Sequence, residues 1–81
     1  MPRIHEASKL TGASTDQIRY LEKKGYIEST WKELKQRRVR DYSDTEVLKI
    51  QLIVKYLSQG FKYSVAYEKA MDELRRPRLL L

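Results

Sequence analysis

The chain has 81 residues, no cysteine, a single histidine and a formal net charge of +6, which suits one small domain with an anionic partner. The absence of cysteine excludes a disulfide framework, a Cys-ligated metal and thiol chemistry, and His5 alone argues against a histidine metal site. No apolar run approaches the ~18 residues of a bilayer span and no signal peptide opens the chain, so the expectation is a soluble, cytoplasmic protein.

The two prolines stand at positions 2 and 77, so nothing breaks a helix between them. Each glycine follows a predicted helix, where a left-handed residue is wanted. Ile4, Ala7 and Leu10 recur at i, i+3 and i+6, which predicts a first helix from Ile4 to Leu10 ending at Thr11-Gly12. Ser14 reads as an N-cap, with Gln17 at the capping-box spacing. A second helix then runs from Thr15 to about Lys24 and stops at Gly25. Two short helices across a tight glycine-containing turn make a helix-turn-helix unit.

Tyr26-Ile27 and Val39 to Tyr42 carry β-forming residues, and the stretch between them is basic. Lys32, Lys35, Arg37, Arg38 and Arg40 stand against Glu33 alone over residues 32–40. This predicts a two-stranded ribbon with a long cationic loop, a wing over residues 28–42, pinned to the helices by Trp31 and Leu34. Ser43 and Glu46 are placed to cap a third helix. Its stripe of Val47, Ile50, Val54 and Leu57, widened by Ile53, is joined by a second stripe of Leu48, Leu52 and Tyr56. A helix so broadly apolar is buried on two sides or touches another chain. Gly60 closes it, with Phe61 folding back, and a fourth helix spans about Tyr63 to Leu74. The expected fold is mainly α with a small two-stranded β wing, a four-helix winged helix-turn-helix. Residues 1–76 form the domain and 77–81 a tail.

With Ile18 and Leu21 set toward the core, the second helix turns Asp16, Arg19, Tyr20 and Lys23 outward, with Thr15 and Gln17 at the N-terminal margin and Ser14 at the positive end of the dipole. A solvated helix face is the ordinary alternative. The helix-turn-helix spacing and the basic wing together favour a double-stranded DNA partner, with this helix about residues 15–24 in the major groove. Lys32, Lys35, Arg37, Arg38 and Arg40 of the wing, and Lys62 at the corner before the fourth helix, are the candidate phosphate contacts.

Three segments carry a resemblance. They are Glu6-Ala7-Ser8-Lys9-Leu10-Thr11-Gly12-Ala13-Ser14, then Ile18-Arg19-Tyr20-Leu21-Glu22-Lys23-Lys24-Gly25-Tyr26-Ile27, then Arg40-Asp41-Tyr42-Ser43 leading through Val47 and Ile50 to Gly60-Phe61. In order and spacing they resemble the N-terminal DNA-binding domain of the MerR family of bacterial transcription regulators, over most of residues 4–74. The resemblance implies a winged helix-turn-helix, a second helix in the major groove, wing contacts to flanking backbone, and a dimer that bends promoter DNA. It places Arg19 and Tyr20 among the recognition-helix contacts, Arg40 on the wing arginine and Tyr42 on the aromatic that closes the ribbon.

The departures are specific. Asp16 stands where a basic residue is common, useful only if it accepts from a base or orients Arg19. Lys62 replaces a capping Ser or Thr, leaving Ser64 as the alternative cap. Arg38 replaces a glycine before the second strand, and His5 is given a structural role only. The family usually continues into a dimerising helix and a sensing domain, so this chain is expected to be either a fragment or a stand-alone reader.

Three functions are compatible with these readings. The favoured one is a sequence-specific DNA-binding transcription regulator whose partners are double-stranded DNA, a second copy of the chain and RNA polymerase. The second copy pairs either on DNA or through the third and fourth helices with the leucine tail. The others are a small DNA-bending accessory protein of architectural or recombination type, and a protein-interaction module using the third helix and Leu79-Leu80-Leu81. No nucleophile–base set and no phosphate-cradling glycine loop is present in the sequence, so neither an enzyme nor a cofactor is expected.

Overall fold

The computed structural model describes residues 2–34 and 37–76, without the side chains of Lys32, Leu34 and Arg37. Four helices, α1 (Ile4–Thr11), α2 (Thr15–Lys23), α3 (Asp44–Ser58) and α4 (Tyr63–Arg75), enclose the core. A two-stranded antiparallel ribbon of β1 (Thr30–Leu34) and β2 (Arg37–Asp41) stands between α2 and α3. Mainly helical, with one small wing, this is the winged helix-turn-helix architecture that the sequence predicts.

The turn between α1 and α2 is held by side chains. Thr11 Oγ1 donates to the Ala7 carbonyl at 2.7 Å and accepts from Ala13 N at 3.1 Å. Ser8 Oγ donates to the Ala13 carbonyl at 2.5 Å. Ser14 Oγ then accepts from Gln17 N at 3.0 Å and starts α2, as Ser43 Oγ accepts from Glu46 N at 3.2 Å and starts α3. Neither capping box closes reciprocally. Gln17 Nε2 donates to the Tyr63 hydroxyl at 3.2 Å, and Glu46 Oε1 accepts from Glu28 N at 2.7 Å. Both long side chains tie distant elements together instead of returning to their own cap.

α2 and α3 end in the same way. Tyr26 N reaches back to the Leu21 carbonyl and Gly25 N to that of Glu22. Phe61 N reaches Tyr56 and Gly60 N reaches Leu57. This is the paired hydrogen-bond pattern of a Schellman stop, and it needs the positive φ that Gly25 (82°) and Gly60 (96°) adopt. α4 begins at Lys62 with no side-chain cap, and Ser64, one residue inside the helix, does not replace it.

The core consists of Ala7, Ala13, Ile18, Leu21, Ile27, Tyr42, Val47, Ile50, Ile53, Ala66 and Ala70. Each fully buried Ile or Leu contributes about 1.5–3 kcal/mol. The second stripe of α3 is largely absorbed here, since Leu52 and Tyr56 are half-buried against the same core. Among the described residues no helix is long and apolar enough to cross a membrane.

The ribbon differs from expectation. Its first strand is Thr30–Leu34, with Trp31 opposite Arg40 and Leu34 opposite Arg37, so only residues 35 and 36 lie between the strands. Tyr26 and Ile27 are not strand residues, because Tyr26 completes the α2 stop and Ile27 is buried in the core. Most of the wing's cations therefore ride on strands rather than on a long loop. Trp31 does not pin the wing, as it is 50% exposed.

Candidate nucleic-acid interface

One carboxylate joins the second helix to the wing. Glu22 Oε2 accepts from Arg40 Nη1 at 3.0 Å and from Ser29 Oγ at 2.9 Å, while Oε1 accepts from the Tyr42 hydroxyl at 2.9 Å. The three donors come from the loop before β1, from β2 and from the residue after it. Burial, followed by the hydrogen bond to Glu22, pushes the Tyr42 phenol up to about 12. Tyr42 N also donates to the Pro2 carbonyl at 2.8 Å, which laces the segment before α1 to the exit of the ribbon.

On the outer face of the ribbon Trp31 carries two cations. The guanidinium carbons of Arg38 and Arg40 lie 4.9 Å and 5.0 Å from its ring centroid. Such stacking contributes about 0.5–1 kcal/mol per pair at an exposed site. It also fixes where both guanidinium groups stand. Trp31, Arg38 and Arg40, together with Arg19 from α2, line a cavity of about 300 Å³ that Arg3, Ile4, His5, Val39 and Tyr42 complete. A second concavity beside it is lined by Arg19, Glu22, Lys23 and Arg40. Helix α2 and the wing thus open on one shared, cationic surface.

The remaining α2 residues follow the helical spacing. Asp16 is exposed and pairs with Arg19 at 3.1 Å, one of the two roles considered for it. Tyr20 is 38% exposed, with its ring 4.7 Å from that of Tyr63 and Lys24 above it at 5.7 Å. Thr15 and Gln17 are half-buried, whereas Ser14 and Lys23 are exposed. Lys62 is exposed beside Tyr63, whose hydroxyl receives Gln17 at 3.2 Å, so the start of α4 props the start of α2. Lys35 lies outside the described residues, as do the side chains of Lys32 and Arg37 and the Leu79-Leu80-Leu81 tail.

A family model described as MerR HTH family regulatory protein matches residues 3–73. The chain belongs to the MerR family. It is therefore a DNA-binding regulator of transcription, from a family of regulators rather than enzymes. No curated protein matches it.

Within this MerR fold, residue-by-residue reading missed four members of the shared surface. Arg3 precedes the first periodic residue and carries no pattern. His5 is exposed and lines the cavity instead of packing inside. Trp31 looked like a core anchor, and only the register opposite Arg40 shows it facing outward. Glu22 has no predicted role, although a carboxylate one turn from Arg19 is the available signal.

Proposed function

We propose that this MerR-family chain is a sequence-specific reader of double-stranded DNA. α2 enters the major groove, the wing over residues 28–42 grips the flanking backbone, and two copies pair on DNA to act on transcription with RNA polymerase in the cytoplasm. The observation that carries the reading is the common cavity of Arg19, Arg38 and Arg40. A recognition helix and a ribbon can serve one duplex only if their cations open on the same side. Arg19, Lys23, Tyr20 and Gln17 present donors at the helix surface, and Asp16 holds Arg19 in place. Arg40 acts partly through Glu22, as a strut between helix and wing.

Selection of bound sequences from a random duplex pool, followed by titration at several salt concentrations, tests this. A defined site should emerge. With about five phosphates neutralised, log K should fall with log[salt] at a slope near −4.5. Equal affinity for every sequence, or a salt-independent Kd, overturns it. Arg19→Ala should cost about 1–3 kcal/mol at the selected site and relax the preference at one base position.

A further inference from the structure

The cavity between the wing and the start of α1 contains more positive charge than the recognition argument uses. Four arginines line it, namely Arg3, Arg19, Arg38 and Arg40, and no acidic side chain does. Two of them have carboxylate partners on neighbouring surface: Arg19 with Asp16 at 3.1 Å and Arg40 with Glu22 at 3.0 Å. Arg3 and Arg38 make no ion pair with any described residue. Converging cations without counter-charge repel one another, and an anion placed between them relieves that repulsion.

Neither group belongs to a loose end. Arg38 is stacked 4.9 Å from the Trp31 centroid. Arg3 is the N-cap residue of α1, and its carbonyl accepts from Ala7 N at 2.8 Å. The carbonyl before it, on Pro2, is bonded to Tyr42 N at 2.8 Å. The backbone on both sides of Arg3 is thus fixed relative to the ribbon. Guanidinium groups suit phosphate because their fork matches two of its oxygens.

Resting on the DNA-binding reading above, we infer that Arg3 and Arg38 together hold one backbone phosphate of the bound duplex in this cavity. The segment before α1 thereby becomes a third element of the interface, beside α2 and the wing. One shared phosphate has a quantitative signature. Removing either arginine loses most of the contact, so the two losses do not add.

The test uses the full chain, its selected duplex and a scrambled duplex, with Arg3→Ala, Arg38→Ala and the double variant. Each single variant should weaken binding to both duplexes by roughly three- to tenfold, and the double variant by no more than about tenfold. The salt slope should flatten by about 0.9 in total, one phosphate rather than two. In a scan of single methylphosphonate substitutions, one position should weaken the wild type and leave the double variant unaffected. Both arginines are exposed and Arg38 gives up only its stacking on Trp31, so thermal midpoints should fall by no more than about 8 °C and every variant should remain folded at the assay temperature. Unchanged affinity for Arg3→Ala overturns the inference while leaving the DNA-binding reading intact. So does a double variant that loses the product of the single effects with a slope change near 1.8, or a scan without such a position. A wild-type chain that binds neither duplex overturns both.

Discussion

Tyr42 and Glu22 show how much of the cationic surface is set by two side chains that add no positive charge to it. Tyr42 is fully buried, and its phenol is pushed up to about 12 by burial and by its hydrogen bond to Glu22. In the unfolded chain a tyrosine ionises near 10. The neutral phenol's preference for the folded state is therefore fully present below about pH 10. It is lost as pH rises from there towards 12. Alkaline melting should show a Tyr42-dependent fall in thermal midpoint across that window, and Tyr42→Phe should flatten it. At neutral pH the same variant should cost about 1–2 kcal/mol, because Glu22 loses one of three donors. Glu22→Gln separates positioning from charge. Deleting a negative charge beside an anionic ligand should tighten non-specific DNA binding. Freeing Arg40 and the wing should weaken specific binding, so the specific-to-non-specific ratio should fall several-fold. If both affinities rise equally, Glu22 acts only as a charge.

At the scale of elements, the helices were legible because their signals are local. Ser14, Ser43, Gly25 and Gly60 mark starts and stops by side-chain reach and by backbone conformation, and all four act where those rules place them. The ribbon was less legible because strand identity is decided by competition for residues. Tyr26 and Ile27 have strand propensity, yet the α2 stop and the core claim them first. Trp31 then falls in a strand, opposite Arg40. Apolar character alone could not say that its ring faces solvent between two cations. The outward placement of Asp16, Arg19, Tyr20 and Lys23 on α2 was readable from 100° spacing, whereas Arg3 and His5 join the cationic surface only through tertiary contacts. The stop at Gly25 offers a clean measurement. A Cβ there meets nothing within 4 Å, so Gly25→Ala costs backbone conformation only, about 1–2 kcal/mol at φ 82°. In a domain of this size that corresponds to a thermal midpoint lower by roughly 4–16 °C. Gly25→Asn, which tolerates the left-handed region better, should lose less. Equal losses would place the cost in packing instead.

For the whole molecule, the distribution of apolar surface bears on how two copies meet. Among the described residues the large exposed hydrophobic side chains are Leu10, Tyr20, Trp31 and Phe61. They sit on α1, on α2, on β1 and at the α3–α4 corner, and Tyr20, Trp31 and Phe61 are already engaged by a neighbouring ring or cation. A stable dimer usually buries about 800 Å² per partner around an apolar centre. The outward faces of α3 and α4 among the described residues include an ion pair, Lys55 with Glu73 at 2.9 Å. That hydrogen bond is the main reason the Lys55 ammonium is raised and the Glu73 carboxyl lowered. Pairing on the duplex, as proposed above, needs no apolar patch on this described surface. A winged helix-turn-helix reads half-sites one helical turn apart, about 34 Å, and the molecule measures 47 × 28 × 21 Å. Only with the 47 Å axis lying across the duplex, and one of the two shorter axes along it, do two copies clear each other on adjacent turns. Sedimentation should give a monomer at micromolar concentration without DNA, a 1:1 complex on a single half-site, and a 2:1 complex on a duplex carrying both. Lengthening the spacer by half a turn should turn the second copy to the opposite side of the helix and abolish any cooperativity between them. A dimer in free solution that persists at high salt would instead require an apolar contact made by residues outside this described surface.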